Sequence, residues 1–298
     1  MIDIDVIKSI IGNENVRQNE DMSLHTTFRA GGRAALFLTP EPQNISELVL
    51  YLKGKDAEYY VIGNGSNLLV KDSGYEGAVI CIGNRFEECS IEGTTITAGA
   101  GAKLSKIAAL ACHEGLKGFE FASGIPGTLG GAVTMNAGAY GGEMSQVLKS
   151  VKVLDENGNI LNLKNDELNL GYRHSIVMDK GYVVLEGIIN LKTGQSDEIR
   201  KVMDELALKR REKQPLEYPS AGSTFKRPEG YFAGKLIMDA GLAGKSIGGA
   251  QVSEKHCGFV INKGGATASD ILSLMDYVEE TVYNMYGVRL EPEVKILG

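Results

Sequence analysis

The sequence predicts an α+β protein of about two domains, and three observations carry that prediction. Its 298 residues, at roughly 100–200 per domain, divide into about two cores. Stretches with helical apolar spacing and stretches with strand character mix along the chain without a regular βαβ beat. Glycine is concentrated: residues 63–142 hold 17 of the 38 glycines, about one residue in five where roughly 7% is usual. There is no Gly-X-Y period, which excludes collagen, and no internal repeat.

Taken in order, Ile45, Leu48, Val49 and Leu52 predict an amphipathic helix with Asn44 or Ser46 as N-cap. Tyr59-Tyr60-Val61-Ile62 reads as a strand that runs into a glycine turn, and Leu68-Leu69-Val70 as a second short strand. Strands around Val79–Ile82 and Thr94–Ala98 precede a helix with Leu104, Ile107, Ala108 and Ala111 on one face. Val151–Leu154 and Ile160–Leu163 flank Asn157-Gly158, a hairpin signal because this pair tolerates positive φ. Another strand is expected from Tyr182 to Leu191. A helix over Ser196–Arg211, with Ile199, Val202, Met203 and Leu206 inward, opens a compositionally different region, so the domain boundary is placed near residue 197. The last region carries a second set of glycine loops, a helix around residues 235–239, a strand at Phe259–Ile261, a helix over Ala268–Met285 and a final strand around Val288–Ile296.

Composition removes several functions. The net charge of −7, with 43% apolar and 23% charged residues, is that of an ordinary globular protein, whereas a general nucleic-acid binder is normally basic. Met1-Ile2-Asp3-Ile4-Asp5 lacks the basic segment and apolar core of a signal peptide, so a cytoplasmic protein is expected. Phe121–Gly142 has no charged side chain, but its glycines, Pro126 and Asn136 suit a folded loop and not a membrane helix. Cys81, Cys89, Cys112 and Cys257 have no metal-ligand spacing, so buried reduced thiols and no metal are expected.

Three motifs fail on inspection or stay secondary. Gly63-Asn64-Gly65-Ser66-Asn67-Leu68 follows a strand, yet Leu68 stands where a dinucleotide fingerprint needs its third glycine, and strand character follows. Gly244-Lys245-Ser246 lacks the first P-loop glycine, whose place falls on Asp239. Gly244-Lys245-Ser246-Ile247-Gly248 satisfies G-x-S-x-G, so a serine hydrolase using Ser246 is the second reading, although the preceding residues look helical and Gly241–Gly249 reads as loop. A non-catalytic flavin- or nucleotide-binding module is the third.

The glycine turns remain: Gly63-Asn64-Gly65-Ser66-Asn67, Gly99-Ala100-Gly101, and Ser123-Gly124-Ile125-Pro126-Gly127-Thr128-Leu129-Gly130-Gly131, with Asn136-Ala137-Gly138 beyond. Glycine lets backbone N–H groups converge on an anion, and Ser66, Asn67, Ser123 and Thr128 add short donors. For any single turn a structural role is the simpler reading. Three in one region point to a dinucleotide held by neutral donors, which suits an acidic chain.

Beside these turns stand Met22-x-x-His25-Thr26-Thr27-Phe28-x-x-Gly31-Gly32, the Gly63–Leu69 and Gly124–Ala132 segments, Met135-Asn136-Ala137-Gly138-Ala139-Tyr140-Gly141, Tyr172-Arg173-x-Ser175, Ala221-Gly222-Ser223-x-Phe225-Lys226 and Leu290-Glu291-Pro292-Glu293-Val294. In this series the chain resembles the UDP-N-acetylenolpyruvoylglucosamine reductases. These motifs run in order over nearly the whole chain. The resemblance implies a vanillyl-alcohol-oxidase-type (PCMH-type) FAD-binding fold in two subdomains, 1–85 and 86–196, followed by an α+β substrate domain, 197–298. It further implies that NADPH reduces FAD and that flavin N5 passes a hydride to an enolpyruvyl ether on UDP-N-acetylglucosamine, giving the peptidoglycan precursor UDP-N-acetylmuramate. The chain is expected to act as a monomer.

Reducing that C=C requires a hydride at one carbon, stabilisation of the charge beside the carboxylate, and a proton for the other carbon. Arg173, with its permanent planar cation, suits the carboxylate, and its motif matches the family's catalytic arginine. Ser223 lies among small neighbours, and the resemblance makes it the proton donor. Alternation puts Glu291 and Glu293 on one face of the same segment, so periodicity does not choose between them; the resemblance assigns Glu293. For the UDP group the candidates are Lys213, Arg227, Tyr231 and His256, with Lys226 and Lys235 as further cations. Only Val177–Gly181 separates Tyr172-Arg173-His174-Ser175-Ile176 from the next strand, so the chain is similar to the shorter subtype, which lacks an inserted tyrosine loop.

Overall fold

The structure is a computed structural model that describes residues 2–298. The first elements are α1 (Ile4–Ile11), β1 (Val16–Asp21), β2 (Arg33–Leu38), α2 (Ile45–Gly54), β3 (Tyr59–Ile62), β4 (Leu68–Val70) and β5 (Tyr75–Cys81). There follow β6 (Cys89–Glu92), β7 (Thr95–Gly99), α3 (Leu104–His113), β8 (Leu116–Lys117), α4 (Leu129–Thr134), β9 (Gly138–Ala139) and β10 (Gly142–Glu143). Next come β11 (Leu148–Leu154), β12 (Ile160–Lys164), α5 (Ile176–Lys180), β13 (Val183–Asn190), β14 (Lys192–Thr193) and α6 (Ser196–Lys213). The chain closes with α7 (Ala233–Asp239), β15 (Ser246–Ile247), β16 (Ala250–Val252), β17 (Val260–Asn262), α8 (Ala268–Tyr286) and β18 (Lys295–Leu297).

These elements form two compact units, each with its own core. Among the described residues the first unit comprises 2–18, 36–64 and 77–210; the second comprises 19–35, 65–76 and 211–298. The chain thus passes from one unit to the other inside β1 and β2, between Asn64 and Gly65 in the turn that follows β3, inside β5, and again in the last turn of α6. Composition marks the start of α6, near 197, whereas the break in packing falls between Arg210 and Arg211.

In the first unit the apolar spacing does what it predicts. Helix α2 buries Ile45, Leu48, Val49 and Leu52, and α3 buries Leu104, Ile107, Ala108 and Ala111, each set on one helical face. The larger sheet has the order β12-β11-β13-β7-β6 and is antiparallel throughout, with β13 between β11 and β7. Helix α4 lies on β13, and a Cβ on Gly187 would stand 3.0 Å from Leu129, so glycine permits that close packing.

The second unit is organised by α8. Thr267 and Asp270 cap its start reciprocally, and the Asp72 carboxylate accepts the next two N–H groups, from Ala268 at 2.8 Å and Ser269 at 2.7 Å. Its buried stripe of Ile271, Leu274, Met275, Val278 and Val282 belongs to the same core as the sheet β15-β16-β17 and α7. Strand β18 runs parallel to β4, pairing Lys295 with Leu68 and Leu297 with Val70.

Several expectations change. Residues 121–142 are not only loop: they contain α4 and the small pair β9-β10. The expected strand over 288–296 shrinks to Lys295–Leu297, since Pro292 has no N–H for a ladder. Asn44 stands at the N-cap of α2 without a side-chain bond, because a 3₁₀ turn at Pro42–Asn44 feeds straight into the helix. In α6 Val202 is exposed and Leu206 half-buried, leaving Ile199 and Met203 to anchor the helix. The β11-β12 turn is longer than two residues: Asp155 N–H donates to Asn159 O, and only Gly158 has positive φ. Cys112 and Cys257 are buried, but Cys81 and Cys89 are half-buried; burial still pushes the Cys81 thiol up to about 11, so it stays protonated.

Candidate active site

Ser246 does not occupy a nucleophile elbow. It lies on β15, which turns back through Gly248-Gly249 into β16, and its hydroxyl donates to Gly244 O. The strand–serine–helix context that G-x-S-x-G requires is not there.

In the first unit the predicted cofactor turns dock on one another. The Asn64 amide donates to Pro126 O at 2.8 Å, and a Cβ on Gly63 would overlap the Thr128 hydroxyl. Leu104 N–H donates to Gly127 O, while Leu129 and Gly130 N–H donate to Ala102 and Ala100 O. A Cβ on Gly99 or Gly101 would collide with the backbone of residues 83–86, and one on Gly138 would come within 2.7 Å of Gly142 O. These glycines are required for chain-on-chain approach. Ile125 N–H donates to Ala122 O, and the Ser123 hydroxyl to Glu120 O, so Ser123 is occupied within the loop. Gly131 is different, since only the Thr128 hydroxyl, at 3.9 Å, would approach a Cβ there. The Thr128 hydroxyl has no partner among the described residues. Gly131 and Thr128 therefore form the open part of this wall, and together with the packed turns they fit a diphosphate-bearing cofactor held by neutral donors.

Arg173 sits at a tight turn in which Gly171 and His174 exchange backbone hydrogen bonds. Its φ of +55° is uncommon for a non-glycine residue and is held by neighbours. His174 bonds to Asn169 O at 3.0 Å and to the Asp179 carboxylate at 2.9 Å, and the buried Ser175 hydroxyl donates to Thr134 O at 2.7 Å. Asn136, also at positive φ, donates to Gly171 O and accepts from Ser145 N–H. Predicted to face the cofactor, Asn136 has its amide committed to the protein and acts as a strut under the Arg173 turn.

Arg210 was invisible to sequence reasoning. Its Nε would stand 2.9 Å from a Cβ on Gly124, and its guanidinium lies over the Tyr140 ring at 5.7 Å. Burial lowers its pKa and Tyr140 pulls it back up. No local pattern singles out one arginine among the five cations between residues 200 and 211.

The second unit brings Ser223 and Glu293 onto neighbouring segments. Thr224 is fully buried: its N–H donates to Gly258 O, its hydroxyl accepts from Val260 N–H, and its carbonyl accepts from Glu293 N–H at 2.8 Å. Phe225 and Pro292 form an antiparallel bridge, and Lys226 N–H donates to Glu291 O. The two carboxylates are now distinguishable, because Glu291 is exposed and ion-paired with Lys226 at 3.0 Å, whereas Glu293 is half-buried. The same pair engages Lys226, and Asp239 engages Lys235. The Ser223 hydroxyl, half-buried beside Gly222, has no hydrogen-bond partner among the described residues. Asn67, expected to donate to a cofactor, donates its amide to Glu293 O at 3.0 Å, and its own carbonyl accepts from Lys295 N–H. Gly65 (φ +59°) has no room for a Cβ against His25 O, and the neighbouring Ser66 hydroxyl has no partner among the described residues.

The remaining candidates are peripheral to this ladder. Lys213 is exposed; the Arg227 guanidinium stacks on Phe232 at 4.1 Å and donates from Nε to Tyr231 O; Tyr231 itself is exposed. His256 Nδ1 accepts from Gly258 N–H, which leaves Nε2–H as its donor, and the ring meets Phe259 edge-on at 5.0 Å. Burial lowers the His256 pKa below its ordinary 6.5. The unfolded chain therefore binds the proton more readily, so the stability held above pH ~6.5 is lost as pH falls toward the depressed folded pKa. His256→Asn is expected to flatten the dependence of the melting temperature on pH between about 7 and 5, as differential scanning fluorimetry would register.

Comparisons with known proteins find relatives along nearly the whole chain. Residues 34–164 match the FAD binding domain family model, and residues 214–297 match that of the UDP-N-acetylenolpyruvoylglucosamine reductase C-terminal domain. Proteins named UDP-N-acetylenolpyruvoylglucosamine reductase are similar along the chain: one from Agathobacter rectalis is 56% identical, covering 94% of this chain and 93% of the relative. Another from Caldanaerobacter subterraneus is 51% identical, covering 99% and 98%. The crystal structure of such a reductase from Thermus caldophilus superposes with a TM-score of 0.82 at 35% identity, over 94% of this chain and 98% of that one. The FAD-binding fold and the use of FAD follow from these matches.

Proposed function

We propose that this chain, which belongs to the UDP-N-acetylenolpyruvoylglucosamine reductase family, reduces the enolpyruvyl ether of UDP-N-acetylglucosamine to UDP-N-acetylmuramate in peptidoglycan precursor synthesis, with NADPH as reductant. The observation that carries the reading is the Thr224 clamp, which sets a Ser223 hydroxyl with no partner among the described residues beside the segment bearing a half-buried Glu293. FAD, when bound, takes up reducing equivalents from NADPH and supplies the hydride. Gly131, Thr128 and Ser66 offer the open backbone and hydroxyl donors for its pyrophosphate. Arg173 binds the substrate carboxylate and stabilises the charge that grows on it as the double bond is reduced. Ser223 gives the proton to the other carbon; a serine is a weak acid, so Glu293 is assigned to polarise or stabilise the enol form. Lys213, Arg227, Tyr231 and His256 Nε2–H are assigned to the UDP group.

In this reading 1–85 and 86–196 are the cofactor subdomains, 197–298 binds substrate, and the enzyme works as a cytoplasmic monomer. No helix among the described residues is long and apolar enough to cross a membrane. The test is substrate-dependent NADPH consumption. Beyond the first equivalent taken up by the flavin, and under anaerobic conditions, absorbance at the NADPH band should keep falling only when the enolpyruvyl sugar nucleotide is present; equal rates with UDP-N-acetylglucosamine, which lacks the ether, overturn the assignment.

A further inference from the structure

We propose that Thr27 is an unrecognised cofactor-binding residue whose hydroxyl donates to the pyrophosphate of FAD. Thr27 Oγ1 is buried and, of the buried side-chain oxygens and nitrogens among the described residues, it is the one without a hydrogen-bond partner. Native proteins rarely leave such an atom unpaired, and one that persists marks a group held for something the free chain does not contain.

Its surroundings indicate what that is. The backbone of residues 25–27 is clasped against the Gly65 turn: Thr27 N–H donates to Gly65 O at 3.2 Å, and a Cβ on Gly65 would overlap His25 O. Both neighbours of Thr27 are anchored elsewhere. Thr26 is buried and its hydroxyl donates to Ala30 O, while His25 Nε2 bonds to Glu20 at 2.8 Å. The segment is therefore rigid on either side of a hydroxyl that has no assignment.

Next to Gly65 stands Ser66, whose hydroxyl also lacks a partner among the described residues. Two hydroxyl donors thus flank one glycine turn and have no acceptor among the described residues. An oxyanion rich in acceptors and devoid of donors, such as a pyrophosphate, complements them. Thr27 as a whole is only half-buried, so a single χ1 change exchanges the covered hydroxyl with the methyl position. The residue lies upstream of 34, where the match to the FAD-binding model begins. The inference rests on the reading that the Gly65-Ser66 turn belongs to the cofactor cradle.

The test separates the free chain from the loaded one. In Thr27→Val the apoprotein should melt at or above the wild-type temperature, because no bond is lost, while the Kd for FAD from flavin-fluorescence quenching should rise about tenfold or more. Thr27→Ser should bind FAD nearly as the wild type does. In the ³¹P spectrum of the holoprotein, Thr27→Val should displace the pyrophosphate resonances. An unchanged Kd and spectrum overturn the proposal, as does an apoprotein destabilised as much as the holoprotein, which would assign the hydroxyl to the fold. Ser66→Ala distinguishes the failures: if it weakens FAD binding and Thr27→Val does not, the cradle stands and Thr27 is not part of it. If neither variant alters binding, the cradle reading itself fails, and Thr27 with it.

Discussion

Ser223→Ala is expected to leave NADPH-dependent bleaching of the flavin at the wild-type rate and to slow the substrate-dependent return of colour by about 10²–10⁴-fold, the range that a well-placed general acid supplies. The asymmetry follows from position. The hydroxyl has no partner among the described residues, so its removal leaves no buried group unpaired and should change stability by no more than about 0.5 kcal/mol. The Thr224 bonds that hold the segment to Gly258, Val260 and Glu293 are untouched. Stopped-flow absorbance resolves the two half-reactions. A variant that recolours at the normal rate removes Ser223 from proton transfer.

Arg173→Ala is expected to slow the same half-reaction by about 10²–10³-fold, the usual cost of losing one group aimed at developing charge. Arg173→Lys keeps a cation but loses the planar fork, so it should fall between the two. The turn itself should survive, because His174, Ser175 and Asn136 hold it from outside the arginine side chain. Asn136→Ala gives the complementary result. It keeps the cation but leaves Gly171 O and Ser145 N–H without their partner, costing about 1–3 kcal/mol of stability and slowing recolouring through misplacement of Arg173. If Asn136→Ala is destabilised yet recolours normally, the strut has no part in positioning the arginine.

The helices with regular apolar spacing, α2, α3 and α8, were legible because burial on one face imposes a period that local sequence records. Helix α4 was not, since Leu129-Gly130-Gly131-Ala132 has poor helix propensity and is held by bonds from Leu129 and Gly130 to Ala102 and Ala100. Strand β6 was missed for a similar reason: Cys89-Ser90-Ile91-Glu92 is too short and polar to register, and pairing with β7 creates it. At the site, the sequence identified residues better than it identified their partners. Asn67 and Asn136 look alike as turn-borne amides, but their acceptors lie 226 and 35 positions away, a distance no local pattern carries. Glu291 and Glu293 were equivalent by alternation and became distinct through the Lys226 ion pair and the Thr224 bond. Arg210 and Thr27 depend on packing against glycines distant in sequence, which is why neither stood out.

One measurement bears most directly on the proposed activity. The FAD-loaded protein, reduced under anaerobic conditions with one equivalent of NADPH and freed of excess nucleotide, is mixed with one equivalent of the enolpyruvyl sugar nucleotide. The account predicts full return of the oxidised flavin spectrum, together with a product heavier than the substrate by two hydrogens and identical to UDP-N-acetylmuramate. A flavin that stays reduced, or one that reoxidises without that mass change, would contradict it.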